Sequence, residues 1–200
     1  MKMAIPYKQI RAVYDDRTIR VYQAYNNAIA DTALENGTFV TPPFKLERMT
    51  WIKPSFLWMM YRSSWGTKEI GQSRILAIDI SRAGFEWALD HSCLSHQVKN
   101  FASREERLNA KATPVRIQWD PDRDLHLQPL KYRAIQIGLS KEAIKLYVGE
   151  WIRSVTEVTD LATQIHNLVD NQKLEEARKL LPKEEVYPLS QDLKEKIQAI

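Results

Sequence analysis

Ile19-Arg20-Val21-Tyr22-Gln23-Ala24-Tyr25 alternates apolar and polar side chains, and Asn26-Asn27 follows directly. Alternation with a period of two is typical of a β-strand. An asparagine in this position can cap the helix predicted over Ala28–Glu35. Asn36-Gly37 then supplies the left-handed residue at which many helices end. The stretch therefore predicts a strand, a short helix and a glycine stop in direct succession.

Further strands are predicted on both sides of this unit. Ile10–Tyr14 also alternates, and the turn-like Asp15-Asp16-Arg17-Thr18 that follows predicts a hairpin with the strand ending at Tyr25. Downstream, apolar and β-branched residues predict strands at Arg74–Ser81, Thr113–Trp119 and Tyr132–Leu139, with a turn at Asp120–Asp124.

Helices are predicted where a cap or a proline precedes apolar residues at helical spacing. These segments are Phe56–Arg62 after Pro54, about Ala83–His91, a short helix opened by Ser103-Arg104-Glu105-Glu106, a helix from Ser140 to Trp151, and helices around Leu161–Val169, Leu174–Leu181 and Leu193–Ile200. The pattern predicts an α+β fold with mixed or antiparallel sheets flanked by helices. We expect one domain over residues 1–155, with residues 156–200 as a helical C-terminal extension docked on it.

Composition narrows the classes of protein. Of the 200 residues, 44% are hydrophobic and 27% charged, which is ordinary for a globular chain. The apolar runs are too short to span a bilayer, and Met1–Gln9 has no apolar signal region, so we expect a cytoplasmic protein without a membrane partner. The single cysteine, Cys93, excludes an intrachain disulfide and is expected to be a small buried residue rather than a nucleophile. No Cys or His spacing predicts a metal site.

The net charge indicates only weakly what kind of partner the protein binds. The net charge of +4 favours a phosphate-bearing partner through long-range attraction. The basic residues are dispersed along the chain, so they do not form the Lys/Arg block that is typical of a nucleic-acid tail.

The segment Arg48–Gly66 is the least ordinary part of the sequence. It holds three of the six tryptophans, together with three cations. On a helix starting at Pro54, the side chains at positions 55, 58, 59 and 62 share one face. The remaining positions are mostly apolar, which predicts a helix buried on most sides.

Lys53 and Arg62 do not fit a purely apolar role for this segment. A buried charge without a partner costs several kcal/mol. Either a carboxylate elsewhere in the chain pairs with these cations, or they receive an anionic, planar ligand. In the second case they contact phosphate while Trp51 and Trp58 stack on a base.

Two strands carry polar residues that suit a ligand site. Arg20, Tyr22 and Gln23 lie on the strand that precedes the first helix. Gln136 lies between Ile135 and Ile137 and must satisfy both a donor and an acceptor. It either bonds a neighbouring loop or faces a polar cavity.

Four stretches resemble one family, the uncharacterised domain family DUF4291. They are Arg20–Tyr25, Arg48–Arg62, Gln118-Trp119-Asp120-Pro121 and Arg133–Leu139, and the resemblance covers about Ile5 to Leu168. The family carries no assigned function, so the resemblance implies none.

The opening strand, helix and Asn-Gly also resemble the ADP-ribosyltransferase fold, which includes RNA 2′-phosphotransferases and nucleic-acid-modifying toxins. That resemblance implies that NAD is bound by an Arg or His on the first strand, a Tyr or Ser on a second element, and a Gln or Glu on a late strand. Here Gln23 occupies the first position, Tyr61 and Ser63 could fill the second, and Gln136 the third. Gln23 brings no charge to a pyrophosphate, and Gln136 cannot act as a carboxylate base.

The leading hypothesis is therefore a nucleotide-site protein of ADP-ribosyltransferase type. It would bind NAD or a related nucleotide and transfer ADP-ribose to nucleic acid or protein, or act on an RNA terminal phosphate. Gln136 and Tyr61 are the candidate catalytic residues. The candidate binding residues are Arg20, Tyr22, Gln23, Trp51, Lys53, Ser55, Trp58, Arg62 and Ser63.

Two alternatives stay open at this level. The first is a non-catalytic nucleic-acid-binding module in which exposed Trp51, Trp58 and Trp65 stack on bases while cations hold phosphates. The second is a protein-interaction domain whose helical extension docks a partner.

Overall fold

The computed structural model describes residues 5–67, 70–95 and 112–199. Its strands are β1 (Arg11–Ala12), β2 (Thr18–Tyr25), β3 (Thr50–Ile52), β4 (Arg74–Ser81), β5 (Ser92–Leu94), β6 (Val115–Arg123), β7 (Pro129–Leu139), β8 (Ile152–Glu157) and β9 (Glu185–Val186). Its α-helices are α1 (Asn27–Asn36), α2 (Phe56–Ser63), α3 (Arg82–Asp90), α4 (Lys141–Leu146), α5 (Thr159–Asp170), α6 (Leu174–Leu180) and α7 (Gln191–Ile197), with a 3₁₀ turn at Ile70–Gln72 and a π-helical turn at Tyr147–Trp151. The α+β prediction is confirmed.

The first sheet has the strand order β2-β4-β8, and both pairings are antiparallel. Its central strand, β4, is buried along most of its length because it has a neighbour on each side. This confirms the buried strand predicted at Arg74–Ser81. The register of this sheet also fixes which face of the sheet each β2 side chain points to, since Val21 pairs with Ile78 and Gln23 with Leu76.

The second sheet has the order β3-β7-β6-β5, with β5 parallel to β6 and the other pairings antiparallel. Both long strands were predicted, but the predicted turn at Asp120–Asp124 is wrong. Strand β6 continues to Arg123, with a register shift between Pro121 and Arg123. The proline is tolerated because such irregularities release it from the regular ladder.

The predicted hairpin between Ile10–Tyr14 and β2 is confirmed only next to the turn. There Tyr14 bridges Ile19, the Arg20 amide donates to the Val13 carbonyl oxygen at 2.8 Å, and the Asp15 carboxylate accepts hydrogen bonds from two following backbone amides. Further from the turn, strand β1 pairs with β9 near the other end of the chain. Short-range alternation identified the strand residues but could not identify a partner about 170 positions away.

The helix caps follow the sequence signals, with one shift. Asn26 caps α1 by accepting from the Ile29 amide, and Gly37 ends that helix with φ at 66°. Helix α2 begins at Phe56 rather than at Pro54, because the Ser55 side chain accepts from the Trp58 amide and so defines the cap. The predicted helix at Ser103–Glu106 lies outside the described residues.

The apolar interior forms two clusters. The larger one lies between the sheets and helices α1 and α3, and includes Ile78, Phe85 and Ile137. The smaller one joins α2 to the C-terminal helices, since Phe56 and Met59 belong to the same cluster as Ile165 of α5. In the described part of the chain, no helix is long and apolar enough to cross a membrane.

Gly84 of α3 is required by its contact with Trp151. A Cβ at this position would collide with the Trp151 ring, which lies directly against the helix backbone. We predict that Gly84→Ala lowers the free energy of unfolding by about 1–3 kcal/mol, because overpacking outweighs the gain of about 1 kcal/mol in helix propensity. Urea denaturation measures this difference. Gly149→Ala is the matched control, since a Cβ there meets nothing within 4 Å; equal stability losses in both variants would contradict the explanation.

Candidate functional site

A cavity of about 520 Å³ lies where the two sheets meet. The sheets are joined by a bridge between Tyr22 of β2 and Lys53, in which the Tyr22 amide donates to the Lys53 carbonyl oxygen over 2.8 Å. The walls of the cavity come from β2, β3, α2, β6 and β7. The site is therefore built from both halves of the fold.

Gln23 holds the β2 wall through a buried hydrogen-bond network. Its Nε2 donates to Thr50 Oγ1 at 2.6 Å and to the Tyr25 hydroxyl at 2.9 Å. Its Oε1 accepts from the Tyr147 hydroxyl at 2.8 Å. The amide is thus held at both ends, and Gln23 is 3% exposed. It lines the cavity, but its hydrogen-bonding groups are used within the protein.

Asp120 is the carboxylate of the cavity wall. It accepts from Gln118 Nε2 and from Gln136 Nε2, each at 2.7 Å. Gln118 pairs with Gln136 across β6 and β7, so these side chains lie on the same face of the sheet. Of the described residues that line the cavity, only Asp120 carries a carboxylate. Two amide donors fix its orientation, and no described cation lies within ion-pair distance of it.

The start of α2 is fixed by two acidic residues from distant parts of the chain. The Ser55 hydroxyl donates to Asp122 Oδ1 at 2.9 Å, and the Phe56 amide donates to Glu184 Oε1 at 2.6 Å. Burial, with a smaller contribution from the charge of Asp122, raises the pKa of Glu184 to about 8, against the opposing effect of the hydrogen bond from the Phe56 amide. These contacts set the position of the helix that carries the aromatic wall.

That aromatic wall is a stack of rings with a cation over it. Trp58 and Tyr61 stack with their centroids 5.1 Å apart. The Arg123 guanidinium lies 3.5 Å from the Tyr61 centroid and 5.4 Å from that of Trp58. The stack is therefore already covered in part by a cation of the protein itself.

Lys53 lines the cavity, and one hydrogen bond is all that the described residues offer its amine in return for burial. The residue is 7% exposed, and its Nζ donates to the Trp51 carbonyl oxygen at 3.1 Å. Burial and, to a smaller extent, the charge of Arg62 together lower the pKa of Lys53 to about 7, against the opposing effect of Asp120. At neutral pH the amine is thus divided between its charged and neutral forms.

Arg62 lies at the mouth of the same cavity and is exposed. Neither Arg62 nor Lys53 forms an ion pair with any carboxylate in the described ranges 5–67, 70–95 and 112–199. Within those residues, the internal partner carboxylate considered for the two cations is not found.

The cavity brings together seven of the predicted site residues: Gln23, Trp51, Lys53, Trp58, Tyr61, Arg62 and Gln136. Four others lie outside it. Arg20 is held by Asp79 through two hydrogen bonds of 2.8 and 2.9 Å. Tyr22 is buried and packs edge-on against Phe56.

The two serines among the predicted binding residues serve the helix itself. Ser55 is the N-cap of α2 and bonds Asp122. Ser63 is fully buried and donates to the Met59 carbonyl oxygen at 3.0 Å. In this arrangement neither hydroxyl lines the cavity.

Two of the three tryptophans expected to be exposed are buried. Trp58 is 4% and Trp65 5% exposed, the latter because it stacks on His166 of α5. Trp51 is half-buried and lines the cavity. The expectation of three exposed stacking rings is therefore wrong for Trp58 and Trp65.

Several lining residues were not assigned to the site from the sequence. Asp120 and Gln118 belong to one of the stretches that carry the family resemblance. Because Asp120 opens the predicted turn Asp120–Asp124, the sequence does not predict that its side chain lies on the same face of the sheet as Gln136. Thr50 and Tyr25 both bond Gln23; Thr50 directly precedes Trp51, and Tyr25 lies two residues after Gln23 on β2. If the alternation of β6 is continued through Asp120, this residue falls on the same face as Gln118, and the sequence then identifies its carboxylate as a site residue.

Outside the cavity, the described residues offer neither a metal site nor a thiol that is activated as a nucleophile. Among the described residues there is no group of three or more His, Cys, Asp or Glu side chains that could hold a metal ion. Cys93 is half-buried, and burial raises the pKa of its thiol, which disfavours the reactive thiolate.

Comparison with known proteins identifies a family. The model of the domain of unknown function DUF4291 matches residues 9–187, which confirms the family resemblance and extends it beyond Leu168. No curated protein and no solved structure matches the chain. The resemblance to ADP-ribosyltransferases therefore stays a prediction.

Lys53 should lower the stability of the fold at neutral pH. We predict that Lys53→Met raises the free energy of unfolding at pH 7 by about 1–4 kcal/mol, because it removes an uncompensated buried charge. Since the pKa of Lys53 is about 7 in the folded protein against an ordinary 10.5, the unfolded state binds more protons between these values. The cost is thus complete below pH 7 and disappears as the pH rises towards 10.5.

Urea denaturation of wild type and Lys53→Met at pH 7 and at about pH 9.5 measures this cost. The stability difference should narrow at the higher pH. Lys45→Met, at an exposed position, is the control and should change stability by less than about 0.5 kcal/mol. A destabilised Lys53→Met variant would show instead that the amine contributes to the fold.

Proposed function

The chain belongs to the DUF4291 family, whose description assigns no activity, and we propose from its cavity that it binds a nucleotide, NAD in the first instance, as an ADP-ribosyltransferase-type protein. One observation carries the proposal. Lys53 and Arg62 line the same cavity without a described carboxylate partner for either. An anionic ligand would supply the missing negative charge.

The two cations lie at different depths. Arg62 is exposed at the mouth, where a pyrophosphate can keep part of its hydration. Lys53 is deep and shares the cavity with Asp120 and Gln136. A dinucleotide would therefore place phosphates near Arg62 and a ribose towards the polar floor.

The size and lining of the cavity suit such a ligand. Its volume of about 520 Å³ lies within the range of about 300–1,000 Å³ common for small-molecule pockets. Trp51 is the half-buried ring available for stacking, since Arg123 already covers Trp58 and Tyr61. The floor offers amide and hydroxyl groups to ribose hydroxyls, including Gln136 Oε1, which has no hydrogen bond within the described residues.

Asp120 supplies a carboxylate where the sequence had offered only the Gln136 amide. In ADP-ribosyl transfer the bond from ribose C1 to the nicotinamide nitrogen breaks, and its electron pair leaves with nicotinamide. A new bond forms from the acceptor atom to C1, and the acceptor loses a proton. Asp120, oriented by Gln118 and Gln136, is the group in the cavity that can accept that proton and stabilise positive charge on the ribose. Tyr61 lies at the rim and would contact the nicotinamide side.

The non-catalytic nucleic-acid module receives less support. It requires exposed rings in series, and Trp58 and Trp65 are buried. The nucleotide proposal needs only Trp51 to be accessible, so it agrees better with the observed burial.

The proposal is tested by titrating the protein with NAD while following tryptophan fluorescence. We expect saturable quenching, because Trp51 and Trp58 line the cavity. Arg62→Ala should weaken NAD binding about tenfold or more, which corresponds to about 1.4 kcal/mol. Arg17→Ala, exposed in the turn before β2, removes the same charge away from the cavity and should bind as wild type does.

A flat titration with wild-type protein would refute the nucleotide proposal. Equal weakening in Arg62→Ala and Arg17→Ala would show that net charge, rather than the cavity, attracts the ligand. Repeating the titration at higher salt separates these effects further, because long-range attraction is screened over about 10 Å at 0.1 M salt.

A further inference from the structure

The amine of Lys53 combines three properties of a reactive lysine. It is nearly buried, it lines a cavity large enough for a ligand, and its hydrogen bonding within the described residues is limited to the Trp51 carbonyl oxygen. A lysine that only stabilised the fold would be expected to pair with a carboxylate or to reach solvent with its head group. Lys53 instead lines the cavity while the residue as a whole is nearly buried.

The residues around Lys53 suit a phosphorylated sugar. Arg62 at the mouth can hold a phosphate, while Asp120 and Gln136 lie with the amine at the polar floor. A sugar phosphate that enters phosphate-outward would bring its carbon chain to Lys53. Asp120 can then exchange protons with the reacting groups.

We propose that the Lys53 amine is a nucleophile that forms an imine with the open-chain aldehyde of a phosphorylated sugar, ADP-ribose being the first ligand to test. This deepens the proposed function and rests on it for the choice of ADP-ribose. The imine itself requires only the amine, the carbonyl and the cavity.

The chemistry balances without a further reactant. The Nζ lone pair bonds to the aldehyde carbon, and a proton passes from nitrogen to the former carbonyl oxygen. The resulting hydroxyl accepts a proton and leaves as water while the nitrogen lone pair completes the C=N bond. The nitrogen then loses its remaining proton, which replaces the one consumed. One amine and one aldehyde therefore give one imine and one water.

The electrostatics of the cavity favour the neutral amine that this step requires. Burial and Arg62 of α2 lower the pKa of Lys53 to about 7, and Asp120 of β6 acts in the opposite direction. The other titratable groups lining the cavity are Tyr25 and Tyr61, and burial raises the pKa of Tyr25, so that it stays neutral. Desolvation next to another cation is an established way to activate a lysine.

Reductive trapping tests the proposal. Wild-type protein is incubated with ADP-ribose and sodium cyanoborohydride at pH 7, and adducts are located by peptide mass spectrometry. We expect Lys53 to be labelled at least about tenfold faster than exposed lysines such as Lys45 and Lys179, because only Lys53 lies in a cavity that holds the sugar phosphate next to its amine. NAD, which has no free aldehyde, should protect Lys53 by occupying the cavity.

Two variants and a pH series distinguish nucleophilic from structural roles. Lys53→Arg keeps the charge but cannot become neutral, so it should give no adduct at position 53. Lys53→Met reports whether labelling elsewhere changes when the amine is lost. In wild type, the labelling rate at Lys53 should level off above about pH 7, because the pKa of this amine is lowered to about 7 by burial and by Arg62.

The outcomes separate this inference from the proposed function. Quenching by NAD or ADP-ribose without selective labelling of Lys53 would overturn the imine and leave nucleotide binding intact. Selective labelling by ribose 5-phosphate in a protein that gives no response to NAD would support the imine and refute the nucleotide. Labelling spread evenly over exposed lysines, without protection by NAD, would overturn the imine.

Discussion

The buried amide of Gln23 is the contact on which the arrangement of the two sheets depends. It lies on β2 of the first sheet and bonds Thr50 of β3 in the second, while Tyr147 closes the network from the π-helical turn. The side chains of Gln23, Thr50 and Tyr147 are all buried. Each therefore depends on the others to satisfy its hydrogen-bonding capacity. Because the cavity lies at this junction, the same network that joins the sheets also shapes the site.

The same junction determines the position of Lys53. Its backbone carbonyl accepts from Tyr22 and so helps to connect the sheets, while its side chain extends into the cavity. The position therefore combines a structural backbone with an electrostatically unfavourable side chain. Such conflicts between local stability and polarity are expected chiefly at functional sites. The conflict is a physical reason to regard the cavity, rather than the surface, as the working part of the molecule.

The sequence predicts what depends on local periodicity and capping, and misses what depends on distant pairing. Asn26, Gly37 and the alternation of β2 suffice for the first strand and helix. The partner of β1 does not follow from them, since β9 approaches from the far end of the chain. At the site, Lys53 and Gln136 were found as polar residues among apolar neighbours. Arg20 met the same criterion, but Asp79 on β4 neutralises it, and only the register of the sheet shows this.

The contact between Glu184 and the Phe56 amide has a consequence for synthesis of the chain. Helix α2 carries one wall of the cavity, yet a nascent chain that has not reached Glu184 lacks the acceptor for its first amide. Strand β1 also waits for β9, which follows at once. Domains fold from the N-terminus while translation proceeds, but here contacts that hold α2 and β1 come from Glu184 and β9, more than 100 residues downstream of both elements. The α2 wall of the cavity therefore gains its last supporting contacts only after residues 184–186 have been synthesised.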